Sequence, residues 1–109
     1  ADVPIGDATA NLARYALLVH ALTSDPSRLM TATDDRIHQR RRAGVYPESV
    51  ALVDRLRAQG IPAAISGAGP SVIAFAELST VDAASAAAGE GWAAAALPVS
   101  AHGVRSVPL

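Results

Sequence analysis

The hydrophobic period of this chain changes once, at Gly60-Ile61, and that change limits the architectures open to it. Upstream, apolar residues recur every three to four positions, the spacing that paints one face of a helix. Downstream the repeat shortens, β-branched residues appear and glycines punctuate the runs. Helices gathered first and short strands later describe an α+β chain, not the strict alternation of a doubly wound sheet.

Leu12, Tyr15, Ala16, Val19 and Leu22 place a helix over residues 7–23, with this stripe as its buried face and Gly6-Asp7 at its start. Ser24-Asp25-Pro26 breaks and restarts the chain, because Pro fits a first helical turn and Ser or Asp caps it. Leu29, Met30, Thr33 and Ile37 then predict a second helix over about 26–38. Pro47-Glu48 opens a third, with Val50, Leu52, Val53 and Leu56 as its buried stripe and Gly60 as its stop. Ile61–Ser66 and Ser71–Ala76 read as two strands around a Gly-Ala-Gly-Pro turn. Thr80–Ala88 reads as a fourth helix, capped by Ser79 or Thr80 and ended by Gly89. Pro98-Val99 and Val104–Val107 read as two further short strands around His102-Gly103. The 109 residues contain no internal repeat and suit one domain, residues 1–109. Half of the chain is hydrophobic, but 25 of those residues are Ala, so the core must be thin and closely packed.

Composition excludes several kinds of chemistry. All nine basic residues are Arg, so neither a lysine Schiff base nor a Walker-type phosphate loop can be built. Without Cys there is no disulfide, thiol nucleophile or thiolate metal site, and no two of the three His have metal-ligand spacing. A net charge of −1 argues against nucleic-acid and anionic-membrane partners, and one Phe, one Trp and two Tyr leave few stacking platforms. The longest apolar stretch, Trp92 to Val99, falls far short of the roughly 20 residues a membrane helix needs. Ala-Asp-Val-Pro is not a signal peptide, so a soluble, cytoplasmic chain is expected. It enters an element at once and begins without Met, as a piece of a longer protein would.

Two segments could carry function. In Ser66-Gly67-Ala68-Gly69-Pro70, glycines can take positive φ and present successive N–H groups to an anion, with the Ser71 hydroxyl beside them. The same residues suit a tight turn that needs glycine for geometry alone. The second segment, Asp34 to Arg42, is the most charge-dense. One Arg held in a cleft would grip a carboxylate bidentately, whereas most of the run would be solvated helix surface with pairs such as Asp35 with His38. His20, among leucines, reads as a satisfied, partly buried His, and His102 as a turn residue.

Asn11-Leu12-Ala13-Arg14, Asp35-Arg36-Ile37-His38-Gln39 with Arg42 and Pro47, Leu56-Arg57-Ala58-Gln59-Gly60 and Ala64-Ile65-Ser66-Gly67-Ala68-Gly69-Pro70-Ser71-Val72 together resemble the C-terminal half of the homoserine kinase family. That family belongs to the galactokinase, homoserine, mevalonate and phosphomevalonate (GHMP) kinase superfamily. The likeness runs from about Val3 to Ala76 and more loosely beyond. The glycine loop looks like the superfamily's third motif, and the Asp-x-x-His-Gln-x-x-Arg spacing is what points to homoserine kinase.

The resemblance implies a ferredoxin-like α+β unit: a small, mainly antiparallel sheet with helices packed on one face. It implies ATP-dependent phosphorylation of the L-homoserine hydroxyl, on the route to threonine, with magnesium. ATP and Mg2+ would be bound mainly by an N-terminal kinase half that this chain lacks, as would the catalytic acidic residue, so the chain alone would be inactive. Within this chain the resemblance implies Arg42 on the substrate carboxylate and the loop Ser66, Gly67, Ala68, Gly69 and Pro70 beside the nucleotide, with no catalytic residue and no metal ligand. A homodimer is a further expectation. The chain departs from the family at Arg40 and Arg41, where Pro and an aromatic residue are usual, and at Gly44, where Pro is common; this predicts a differently shaped Arg42 loop. No role carries over to Arg105. The alternatives are a non-catalytic ferredoxin-like module that binds a small molecule or regulates, and a sibling kinase acting on another alcohol.

Overall fold

In the computed structural model, which describes residues 2–103 and 106, the first helix (α1) spans Ile5–Thr23. Asp7 in its first turn and His20 in its last complement the helix dipole, and the Ser24 N–H closes the end on the His20 carbonyl at 2.8 Å. The Asp25 carboxylate then accepts the Ser27 N–H at 3.2 Å and starts a 3₁₀ turn, Pro26–Arg28, that runs into a four-residue helix, Leu29–Ala32 (α2).

The second helix is therefore shorter than the spacing of Leu29, Met30, Thr33 and Ile37 predicts, and two side chains account for it. The Thr33 hydroxyl donates to the Leu29 carbonyl at 2.8 Å. The Asp35 carboxylate accepts the N–H groups of Ile37, His38 and Gln39 at 2.8, 3.0 and 3.2 Å, donors that a continued helix would have sent to the carbonyls four residues back. A second 3₁₀ turn, Arg40–Gly44, leads to the third helix, Pro47–Ala58 (α3), with Pro at its first position, Glu48 in its first turn and Arg55 and Arg57 in its last. Gly60, at φ +77°, stops it.

Strands Ala63–Ile65 (β1) and Val72–Ala74 (β2) pair antiparallel, with Ala63 opposite Ala74, Ala64 opposite Ile73 and Ile65 opposite Val72. The fourth helix, Val81–Ala88 (α4), ends at Gly89, φ +73°. Alternation sends Ala63, Ile65, Val72 and Ala74 to one face of the ribbon, where they meet Leu52, Val53 and Leu56 of α3 and Ala84, Ala87 and Ala88 of α4, with Trp92 alongside. The fold is thus α+β with α3 and α4 on one face of a two-stranded antiparallel sheet, compatible with a ferredoxin-like unit. On the other face Phe75 reaches a second, smaller cluster of Ala21, Leu29 and Ala32 with Leu17 and Leu18.

Arg57 ties the two clusters together. Its guanidinium donates to the Thr33 hydroxyl at 2.7 Å, the Met30 carbonyl at 2.8 Å and the Ala63 carbonyl at 3.3 Å. It thereby supplies donors to carbonyls at the end of α2 and the start of β1.

Several expectations are corrected. The α1 stripe is not buried: Leu12, Tyr15, Val19 and Leu22 are 72%, 71%, 55% and 54% exposed, and the inward residues are Ala21, Leu17 and Leu18. Val50 is only half-buried, because Ser49 takes the inward position and spends its hydroxyl on the Pro70 carbonyl at 2.6 Å. His20 is exposed. Pro98-Val99 form no strand: the segment after Trp92 lies exposed without ladder partners. Of Val104–Val107 only Ser106 is described, so that strand, like Arg105, lies outside the described residues.

Candidate functional site

The glycine loop is a closed turn between β1 and β2. The Ser66 N–H donates to the Ser71 carbonyl at 2.8 Å and the Gly69 N–H to the Ser66 carbonyl at 3.1 Å. Gly67 (φ +57°) and Gly69 (φ +86°) occupy the left-handed region, as the loop reading requires, and Gly69 is joined to Pro70 by a cis peptide bond. Within Ser66–Pro70, those two hydrogen bonds and the missing N–H of Pro70 leave the Gly67 and Ala68 amides without a partner among the described residues. An anion at this loop would meet two adjacent donors, not a full cradle.

The segment before and at the start of α3 holds the turn from one side. The Arg42 guanidinium donates to the Ala68 carbonyl, the Ser49 hydroxyl to the Pro70 carbonyl, and the Tyr46 ring packs where a side chain on Gly69 would otherwise go. Arg42 itself is set by the 3₁₀ turn, whose Arg42 carbonyl accepts the N–H groups of Val45 and Tyr46 at 2.9 and 2.7 Å. The structure therefore brings together the two features the sequence singled out, Arg42 and Ser66–Pro70. One guanidinium N–H is spent on the loop, and four remain for a ligand. Arg40 points away, three-quarters exposed and 3.5 Å from the Asp54 carboxylate, and Arg41 donates to the Asp2 carbonyl at 3.1 Å.

Beside the loop lies an open cavity of about 800 Å3 between α1, the 34–39 segment and the sheet face that carries Ala64, Ile73 and Phe75. Ser66 and Gly67 form one of its edges, and Asn11, Arg14, Asp34, Asp35, His38 and Gln39 supply its polar wall; Arg42 is not part of that wall. Asp35 organises it. Besides the three backbone donors it accepts the Asn11 amide at 2.6 Å, lies 3.3 Å from His38 Nδ1, and leaves the Asn11 carbonyl oxygen to take the Arg36 N–H at 2.9 Å. Gln39 bridges to the sheet: its amide donates to the Thr33 carbonyl at 3.3 Å and its oxygen accepts the Ile65 N–H at 3.1 Å. Arg14 Nε is buried with no hydrogen-bond partner and lies 3.9 Å from the Asp34 carboxylate. Asn11, Arg14 and Gln39 enter the sequence reading only as members of motifs; the bonds of Asn11 to Asp35 and of Gln39 to Ile65 span 24 and 26 positions and leave no local signal.

Burial is the largest influence on the Asp35 carboxyl and opposes ionisation, but the hydrogen bonds from Asn11, His38 and Ile37, with the nearby imidazole, outweigh it and hold its pKa below 3.8. A carboxyl that binds its proton more weakly when folded stabilises the fold above its unfolded pKa, and that stability disappears as the pH falls through the lower folded value. Asp35→Asn is accordingly expected to cost about 1–2 kcal/mol at pH 7, with the gap to wild type narrowing as the pH falls below 3.8. Urea midpoints at pH 7 and pH 3 check this; a gap as large at pH 3 as at pH 7 contradicts it.

The family model for GHMP kinases C terminal matches residues 16–94, and the chain belongs to that family of kinase C-terminal domains. It is 56% identical over 108 residues to a homoserine kinase of Streptomyces avermitilis and 54% identical to one of Streptomyces coelicolor; each match takes in 99% of this chain and 35% of the relative. A homoserine kinase of Cutibacterium acnes is 51% identical over 69 residues, 63% of this chain and 23% of that enzyme. The chain thus spans about a third of the length of the first two of these relatives. Among the described residues no helix is long and apolar enough to cross a membrane, and no three His, Asp or Glu side chains gather as a metal site.

Proposed function

We propose that residues 1–109 form the C-terminal substrate and lid part of a homoserine kinase, a cytoplasmic enzyme that transfers the γ-phosphoryl group of ATP to the homoserine hydroxyl. The observation that carries this reading is the Arg42 to Ala68 hydrogen bond, which links a carboxylate-binding group to the turn that the family sets beside the nucleotide. Arg42 would hold the homoserine carboxylate through its remaining N–H groups, a planar fork that also rejects alcohols without a carboxylate. The paired amides of Gly67 and Ala68 would face the phosphate end, and Tyr46 and Ser49 would keep them there. Magnesium finds no fitting donor set among the described residues. The family resemblance is what assigns metal, phosphate cradle and acid or base to the part of the kinase outside this chain.

The test is a chimera in which this chain replaces the matching 108 residues of the Streptomyces avermitilis homoserine kinase. With millimolar ATP, magnesium and homoserine, the chimera is expected to form phosphohomoserine and the 109-residue chain alone to form none. A folded chimera without turnover contradicts the functional reading. Turnover by the chain alone contradicts the assignment of the catalytic groups to the missing part.

A further inference from the structure

Helix α1 is apolar on two faces. Leu17, Leu18 and Ala21 point into the small cluster with α2, while Ile5, Leu12, Tyr15, Val19 and Leu22 are exposed, Ile5 by 86%. At about 100° per residue, positions 5, 12, 15, 19 and 22 fall within roughly 100° of the helix circumference, so they form one continuous stripe. A helix apolar on both sides is normally enclosed between two layers, and here only one layer is present. Five large apolar side chains, each more than half exposed, form the kind of contiguous patch that marks an interaction surface.

We infer that this stripe is the seat on which α1 packs against the part of the kinase polypeptide that this chain does not contain. Only the identity of that partner rests on the proposed function. Two observations favour a segment of the same polypeptide over a second copy. Relatives that match 99% of this chain carry nearly two-thirds of their length outside the match, and that length is covalently attached. The stripe alone also offers less than the roughly 800 Å2 per partner of a standard stable interface, a shortfall that matters for separate molecules and much less for a tethered one. The consequence for function is that the docked part would border the cavity, because Leu12 and Tyr15 of the stripe line it beside Asn11 and Arg14 of the same helix.

The chain has no cysteine, which permits single-cysteine mapping. Leu12→Cys and Val19→Cys on the stripe, and Asp82→Cys on exposed α4 as control, are labelled with a maleimide in the isolated chain and in the chimera, and each site is read by peptide mass spectrometry. The expected result is stripe labelling at least 50-fold slower in monomeric chimera than in the isolated chain, with Asp82→Cys within about threefold in both. Hydrogen exchange of α1 in the two unsubstituted proteins gives the same comparison if a cysteine variant fails to fold, the expectation being added protection in the chimera. Equal labelling, or equal exchange, in chain and chimera overturns the inference. Stripe protection that follows concentration-dependent dimerisation, and is lost when the chimera is monomeric, overturns it in favour of a second copy. The readout does not involve turnover, so an inactive chimera with a protected stripe would defeat the functional reading and leave this one standing.

Discussion

Arg42→Ala in the chimera is expected to lower kcat/KM for homoserine about 30- to 900-fold, a loss of about 2–4 kcal/mol of transition-state binding. A desolvated carboxylate deprived of a bidentate guanidinium loses two charge-assisted hydrogen bonds at once. Arg42→Lys should restore only part of this, since an ammonium offers a point charge without the planar fork. Because Arg42 also holds the Ala68 carbonyl, a purely structural role is the rival account. The two separate on the parameters: loss of the loop clamp would raise the KM for ATP and lower the urea midpoint, whereas loss of the carboxylate grip falls on homoserine. Arg40→Ala and Arg41→Ala, at exposed positions, should each change kcat/KM less than about threefold. Arg41→Ala as damaging as Arg42→Ala would contradict the assignment.

Gly69→Val is expected to cost about 3 kcal/mol of stability and to abolish most turnover in the chimera. A Cβ at Gly69 would lie 3.0 and 3.2 Å from two carbons of the Tyr46 ring and 3.3 Å from Ile65 Cγ2, in a backbone conformation, φ +86°, that β-branched residues avoid. Overpacking and backbone strain therefore add, and neither can relax without moving the turn off Tyr46. Gly67 separates these effects, because its φ is +57° but nothing lies within 4 Å of an added Cβ. Gly67→Ala should thus cost only about 1 kcal/mol, and Gly67→Asn less, since Asn tolerates the left-handed region. Equal stability of Gly69→Val and wild type, measured by urea unfolding, would contradict the packing shown here.

The elements legible in the sequence were those that local chemistry decides. Pro47 opens α3, Gly60 and Gly89 end α3 and α4, and the glycine loop separates two short β-rich runs, each by restricting φ or releasing it. The motif resemblance singles out Arg42 and Ser66–Pro70, and the structure joins them through the hydrogen bond from Arg42 to the Ala68 carbonyl. What the period could not reveal depended on something nonlocal. The α1 period marks an apolar stripe that reads as core-facing and is exposed, because a period identifies a face and not what covers it. The second helix is shorter than its period predicts because Asp35 outcompetes backbone carbonyls for three N–H groups. Ser49 lies outside every motif, and Gln39 and Arg57 enter only as members of motifs without a bonding role, because polar residues that bond distant carbonyls look like surface residues until the chain is folded.

The claim that Arg42 reads the substrate carboxylate is tested most directly by pairing a missing carboxylate with a missing guanidinium. In the chimera, kcat/KM is measured for homoserine and for 3-aminopropan-1-ol, which keeps the ammonium and hydroxyl and lacks the carboxylate, in wild type and in Arg42→Ala. The account predicts that wild type prefers homoserine by about 30-fold or more and that Arg42→Ala nearly erases the preference, a coupling of about 2 kcal/mol or more. The same preference in both proteins would mean that Arg42 does not touch the carboxylate and would contradict the account.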